Sequence, residues 1–95
     1  MPATEVHTAA IPAQAAIFRV APGGRLVRHP ALCPQILAVL EGSGEVSGES
    51  GASEPIGVGE AVFWSEGEEH ETRTSIGMTA LIIEGDGLVP HRPAA

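Results

Sequence analysis

The chain has 95 residues, a formal net charge of −7 and only five Lys and Arg residues. This length predicts a single domain, and the shortage of cations argues against nucleic acids and anionic membranes as partners. The single cysteine cannot form an internal disulfide, and the first residues lack the basic and apolar regions of a signal peptide. We therefore expect a cytoplasmic protein.

The first half of the chain predicts two short strands and a bend. Residues 15–21, "AAIFRVA", have strand composition, and "PGG" at 22–24 predicts a turn because glycine readily adopts positive φ. Residues 25–29 alternate between polar and apolar, as a half-exposed strand does. Pro30 and Pro34 cannot donate ladder hydrogen bonds, so the chain between them is expected to bend or bulge.

The next segment contains the strongest predicted strand. Residues 36–40, "ILAVL", are apolar on both faces, which indicates that both faces are covered. The strand is expected to end in a tight hairpin at "EGSGEV", where glycines permit a turn. Residues 47–55 predict a polar loop, and residues 61–65, "AVFWS", predict another strand.

The last segment predicts an acidic turn and the final strands. Residues 66–71, "EGEEHE", predict the turn, and residues 72–75 and 78–84 predict the strands. No helical periodicity persists beyond about one turn. Short strands every 8–12 residues, separated by glycine turns, are typical of an all-β jelly roll or double-sheet barrel.

Two segments resemble the two signature motifs of the cupin family. The first motif reads G-x5-H-x-H-x3–4-E-x6-G. In "GGRLVRHPALCPQILAVLEG", Gly23 stands at the opening glycine, His29 at the first histidine and Gly42 at the closing glycine. Ala31 stands where the second histidine belongs, and Gln35 stands where the glutamate belongs.

The second motif of the family reads G-x5-P-x-G-x2-H-x3-N. In "GEAVFWSEGEEHETRT", Gly59, Gly67 and His70 keep the family residue, whereas Ser65 and Thr74 replace the proline and the asparagine. The resemblance extends over about residues 15–85. It implies a single cupin domain, a small antiparallel jelly-roll (double-stranded β-helix) barrel at residues 15–86, after an N-terminal arm or edge strand at 1–14 and before a tail at 87–95.

The family often holds a divalent metal (iron, manganese, nickel, copper or zinc) inside the barrel, on three histidines and a glutamate. This chain keeps two of those four positions, His29 and His70. Histidine binds metals through a neutral ring nitrogen, and Gln35 keeps a carbonyl oxygen in the place of the carboxylate. The alternatives are two unrelated polar histidines, one in each turn, and a barrel-lining Gln35 whose polar groups are satisfied by its neighbours.

Cys33 is a further candidate ligand. If strand parity persists through the two prolines, residues 29, 31, 33 and 35 share one face, and Cys33 can replace the ligand missing at Ala31. A thiolate would favour zinc, copper or iron. A small buried hydrophobe and a thiol facing the substrate are the alternatives. Arg25 and Arg28 have opposite parity, so at most one of them can meet an anionic substrate in the site.

Three functions remain open from the sequence. The first is a metal-binding cupin that acts on a small organic molecule, with dioxygenase- or isomerase-type chemistry as examples and no assigned catalytic residue. The second is a metal-free module that binds a small molecule. The third is a structural protein without catalysis. A homodimer is expected, because a chain this small buries a thin core.

Overall fold

The computed structural model describes residues 13–88, which form seven β-strands and no helix. The predicted arm at 1–14 and tail at 87–95 lie outside these residues except at their inner ends. Within the described range, no helix is long and apolar enough to cross a membrane. The strands are β1 Ala13–Val20, β2 Arg25–Pro30, β3 Gln35–Ser47, β4 Ser53–Gly57, β5 Ala61–Trp64, β6 Glu69–Arg73 and β7 Met78–Gly85.

The antiparallel sheet is organised around β3, which has 13 residues and pairs with four other strands. Residues 35–42 of β3 pair with β7, and the first four of these residues also pair with β5. Residues 43–47 pair with β4, and the last three of these also pair with β6. The sheet order is β1-β7-β3-β6-β2. Because one strand changes partners midway, the sheet curls, and the all-β class predicted from the sequence is confirmed.

The hairpin predicted at "EGSGEV" is wrong, because β3 continues through this segment to Ser47. Gly42 has φ +77°, and a Cβ there would overlap the carbonyl oxygen of Gly77. A Cβ at Gly44 would overlap the carbonyl oxygen of Arg73. These glycines therefore allow neighbouring backbone to approach β3 closely while the strand bends, and they do not reverse the chain.

Two further boundaries differ from the sequence prediction. The acidic turn predicted at 66–71 ends earlier, since β6 begins at Glu69 and pairs with β2 and β3. Backbone hydrogen bonds to β2 and β3 stabilise this strand although its residues are mostly polar. The loop predicted at 47–55 includes the first residues of β4, whose exposed Ser53, Glu54 and Pro55 carry no hydrophobic signal. The predicted bend between Pro30 and Pro34 is confirmed.

The core lies between the curled halves of the sheet. Alternate residues are buried in the first part of each central strand, at Gln35, Leu37 and Val39 of β3 and at Met78, Ala80 and Ile82 of β7. This period of two is that of a strand with one face toward the interior. The buried apolar residues are Ala31, Leu37, Val39, Val46, Ile56, Trp64, Met78, Ala80 and Ile82.

Replacing Gly42 with alanine should lower the free energy of unfolding by about 3 kcal/mol, because the new Cβ meets backbone and the φ is positive. Gly51 is the matched control. It has φ +78° but open space around its Cβ position, so Gly51→Ala should cost only about 1 kcal/mol. Urea unfolding of both variants measures the difference. Equal losses of unfolding free energy in the two variants would show that the close backbone approach at Gly42 does not contribute to stability.

Candidate functional site

The two histidines of the motifs meet where β2 pairs with β6. His29 and His70 are directly opposite each other in the strand register. Their ring centroids are 4.5 Å apart, and the ring planes are inclined at 57°. His70 is buried, whereas His29 is exposed. The structure thus brings together two side chains that are 41 positions apart in the sequence (70 minus 29).

Both histidines line an open cavity of about 400 Å³. Its wall is largely apolar and includes Leu26 of β2, Leu37 of β3 and Ile82 of β7. Cavities of this size and character accommodate small organic molecules, with a few polar groups fixing their orientation. The histidines are thus two of the few polar groups in a mainly apolar enclosure.

Each histidine ring is held by a backbone carbonyl two residues earlier. Nδ1 of His29 lies 2.7 Å from the carbonyl oxygen of Val27, and Nδ1 of His70 lies 3.1 Å from that of Glu68. A carbonyl can only accept, so in the neutral ring Nδ1 carries the proton. Neither Nε2 has a hydrogen-bond partner among residues 13–88. Both rings therefore keep an unprotonated Nε2 for a ligand.

Trp64 fixes the plane of the His70 ring. The two rings stack with centroids 5.1 Å apart and an interplanar angle of 14°. Burial lowers the pKa of His70, the hydrogen bond to the Glu68 carbonyl opposes this effect, and the neighbouring His29 adds to the lowering. His70 is therefore neutral at pH 7, and its Nε2 lone pair is available at that pH.

A second polar pair lies in the same cavity. Gln35 of β3 is opposite Glu84 of β7 in the register, and its Nε2 donates a hydrogen bond of 3.1 Å to Oε2 of Glu84. Because a carboxylate only accepts, this contact fixes which end of the amide is the donor. The carbonyl oxygen of Gln35 consequently remains free to accept a hydrogen bond or bind a cation.

Glu84 is the site residue that the sequence analysis missed. It was assigned only to the final predicted strand. Its spacing in the sequence is the signal that could have revealed it. Met78, Ala80 and Ile82 of β7 are buried at every second position, and Glu84 is the next residue in this series. A carboxylate that follows an inward-facing apolar series is expected to face the interior.

Cys33 lies apart from the histidines. It is half-buried in the bend between β2 and β3 and lines a second open cavity together with Glu84 and Asp86. This cavity shares Gln14, Leu32 and Glu84 with the histidine cavity but contains neither histidine. The face predicted from residues 29 to 35 is interrupted because β2 ends at Pro30. Partial burial and then the carboxylates of Glu84, Asp86 and Glu66 raise the pKa of the thiol. The thiol form is a poor metal ligand.

Comparison with known proteins identifies the fold. No protein-family model and no curated protein matches the sequence. A cupin superfamily protein from Desulfitobacterium hafniense aligns with a TM-score of 0.73 at 12% identity, over 78% of this chain and 67% of that one. An RmlC-like cupin from Shewanella frigidimarina aligns with a TM-score of 0.73 at 18% identity, over 85% and 68%. The chain has the cupin fold.

A third cupin-fold neighbour is an enzyme. The DMSP lyase DddQ from Ruegeria pomeroyi aligns with a TM-score of 0.73 at 25% identity, over 83% of this chain. The alignment covers only 41% of the lyase, so this chain spans less than half of that protein. The resemblance inferred from the two motifs is thus confirmed for the fold, and the chemistry has to be argued from the cavity.

The cavity only partly fits the metal centre that the resemblance implies. No three His, Cys, Asp or Glu residues within 13–88 lie close enough together to hold a metal. The 4.5 Å between the histidine ring centroids is a spacing compatible with two imidazoles on one ion, because metal–imidazole bonds are about 2.0–2.1 Å long. The residues fit a site of two imidazoles with Gln35 beside them, and they do not fit a four-ligand site.

His70 should make the stability of the domain fall in mildly acidic solution. Its pKa is lowered by folding, so the unfolded chain binds the proton first as the pH drops below about 6.5. The contribution of neutral His70 to the free energy of unfolding is complete above that pH. It is lost as the pH falls toward the lower pKa of His70 in the folded state. Thermal unfolding between pH 7.5 and 5 should show a shallower fall for His70→Gln than for the unmodified chain. Parallel curves would contradict this assignment.

Proposed function

We propose that this cupin-fold domain binds a small organic molecule next to a divalent transition metal that is held by His29 and His70. The observation that carries the proposal is the anchoring of both Nδ1 atoms on backbone carbonyls, which leaves the Nε2 of each neutral ring unprotonated, in two rings whose centroids are 4.5 Å apart. Metal-binding histidines typically use this arrangement, because the carbonyl fixes the tautomer and the ring orientation. Imidazole suits zinc, copper, iron and nickel.

The remaining residues of the cavity orient and enclose the bound molecule. A metal at the histidines would act as a Lewis acid, or would support oxygen chemistry if it is redox-active. Gln35 and Glu84 present an amide and a carboxylate to the bound molecule. The apolar wall excludes water from it. Dioxygenase- or isomerase-type reactions are compatible with this division of roles, and no residue is assigned a catalytic step.

A metal-free binding module is the second candidate. It is favoured by the absence of any three-ligand cluster within residues 13–88. In this version the two Nε2 atoms accept hydrogen bonds directly from the bound molecule. A ligand would then raise the melting temperature in the presence of a chelator.

Trp64 provides a direct test of the metal. It is the only tryptophan of a chain without tyrosine, and it stacks on His70. Titration of chelator-treated protein with Ni²⁺ or Cu²⁺ should quench its fluorescence at one equivalent. His29→Ala should weaken this binding by at least about tenfold, because one of the two imidazoles is lost.

The matched control for the metal titration is His91→Ala. His91 lies outside both motifs in the sequence, so its loss should leave the quenching unchanged. Two results would contradict metal binding at the histidines: quenching that does not saturate, and a metal affinity of the His29→Ala variant equal to that of the unmodified chain. Either result would favour the metal-free module.

We also propose that the domain is a homodimer formed through β1. This strand lies at one end of the sheet order, and Ile17, near its centre, is 63% exposed. Pairing with a second copy would cover the edge of β1 that has no partner strand among residues 13–88, and it would bury this side chain. Ile17→Glu should therefore convert a dimer into a monomer in sedimentation equilibrium. A monomeric unmodified chain at 0.1 mM, a concentration of the order used for weak associations, would refute the proposal.

A further inference from the structure

We propose that the molecule bound in the histidine cavity carries a positively charged group, such as an ammonium, that docks on the carboxylate of Glu84. This inference rests on the proposed small-molecule site and names the class of molecule that the site accepts. It also assigns Gln35, the first residue of β3, and Glu84, near the end of β7, as the recognition pair for that charge.

Glu84 has unused acceptor capacity inside the histidine cavity. Its carboxylate lines the cavity together with both histidines, and its Oε2 is held by the Nε2 of buried Gln35. One hydrogen bond from a neutral amide leaves most of the acceptor capacity of a carboxylate unused. Glu84 is also not part of a cluster with the two histidines that could hold a metal. Its free acceptor positions are thus available to a ligand.

Within the described part of the chain, no cationic side chain lines the cavity that contains Glu84. The sequence contains no lysine, and none of the arginines between residues 13 and 88 lines this cavity. Arg28 donates to the carbonyl oxygen of Gly48 instead, at 3.0 Å. Arg25 lies 3.8 Å from the carboxylate of Glu71, and Arg73 donates to Ser53. A partly enclosed carboxylate without a counter-charge favours a ligand that supplies one.

The wall of the cavity around Glu84 contains aliphatic and aromatic side chains. Leu37, Ile82 and Phe18 line the same cavity as Glu84. Aliphatic side chains accommodate the hydrocarbon part of a molecule, and an aromatic ring additionally attracts an organic cation. An anionic ligand would meet the Glu84 carboxylate, and no arginine from residues 13–88 lines the cavity to offset the repulsion. The combination therefore selects a small apolar molecule with a cationic end.

The test compares three probes that share one hydrocarbon chain: n-pentylammonium, 1-pentanol and pentanoate. Each is titrated into the full, metal-free chain in the presence of a chelator, and binding is followed by ¹H–¹⁵N correlation spectra. Pentylammonium should bind at least about tenfold more tightly than pentanoate, since a charge-assisted contact replaces a repulsion. The side-chain amide signals of Gln35 should shift with it, because its Nε2 contacts Glu84.

Glu84→Gln should reduce the preference for pentylammonium over pentanoate to less than about twofold, because the variant keeps the shape and loses the charge. Glu41→Gln is the matched control, since Glu41 is an exposed carboxylate of β3 that lines a different cavity. It should keep the full preference. The comparison of probes in the unmodified chain does not depend on either variant.

The outcomes separate the two proposals. If pentanoate binds as tightly as pentylammonium, or if Glu84→Gln keeps the preference, the inference about the cationic group is wrong and the small-molecule site stands. If none of the three probes perturbs residues of the cavity, the small-molecule site itself is refuted. A preference for pentylammonium that only Glu84→Gln removes supports both.

Discussion

The close approach of backbone at the bend of β3 is the constraint on which the rest of the structure depends. Gly42 packs against Gly77 and Gly44 against Arg73 at distances that no Cβ could tolerate. The bend between them lets β3 leave β7 and join β4 and β6. Without this exchange of partners, β7 and β6 would not curl around a common interior. The wall of the cavity is built from these two strands together with β1, β2 and β3.

The polarity of the cavity follows from which strand contributes each group. β2 and β6 bring two imidazoles, each with its Nδ1 directed at a backbone carbonyl. β3 and β7 bring an amide and a carboxylate that are already hydrogen-bonded to each other. The cavity therefore receives imidazole nitrogens from one pair of strands and a negative charge from the other pair. This asymmetry distinguishes the site from a metal centre built on three histidines and a glutamate, because the carboxylate is displaced from the imidazoles.

Most of the strands could be predicted from the sequence, because apolar runs and glycine turns are local signals. The predictions failed where composition and pairing disagree. Gly42 and Gly44 have turn composition, yet they lie within a strand because neighbouring backbone crosses them closely. The segment around His70 has loop composition, yet it is a strand because β2 and β3 satisfy its backbone on both sides. Such pairings join residues that are distant in the sequence, and composition does not report them.

By itself, the sequence determined the all-β class and the two motif histidines, because glycine spacing and strand periodicity are encoded locally. Only the tertiary structure decided which groups share the cavity. It placed Glu84 against Gln35, a residue 49 positions away, and it placed Cys33 in a second cavity that contains neither histidine. The physical reason is that a period of two sets the parity of side chains only within an unbroken strand. The bend after Pro30 breaks that parity, and the register between β3 and β7 brings in a carboxylate that no motif contains.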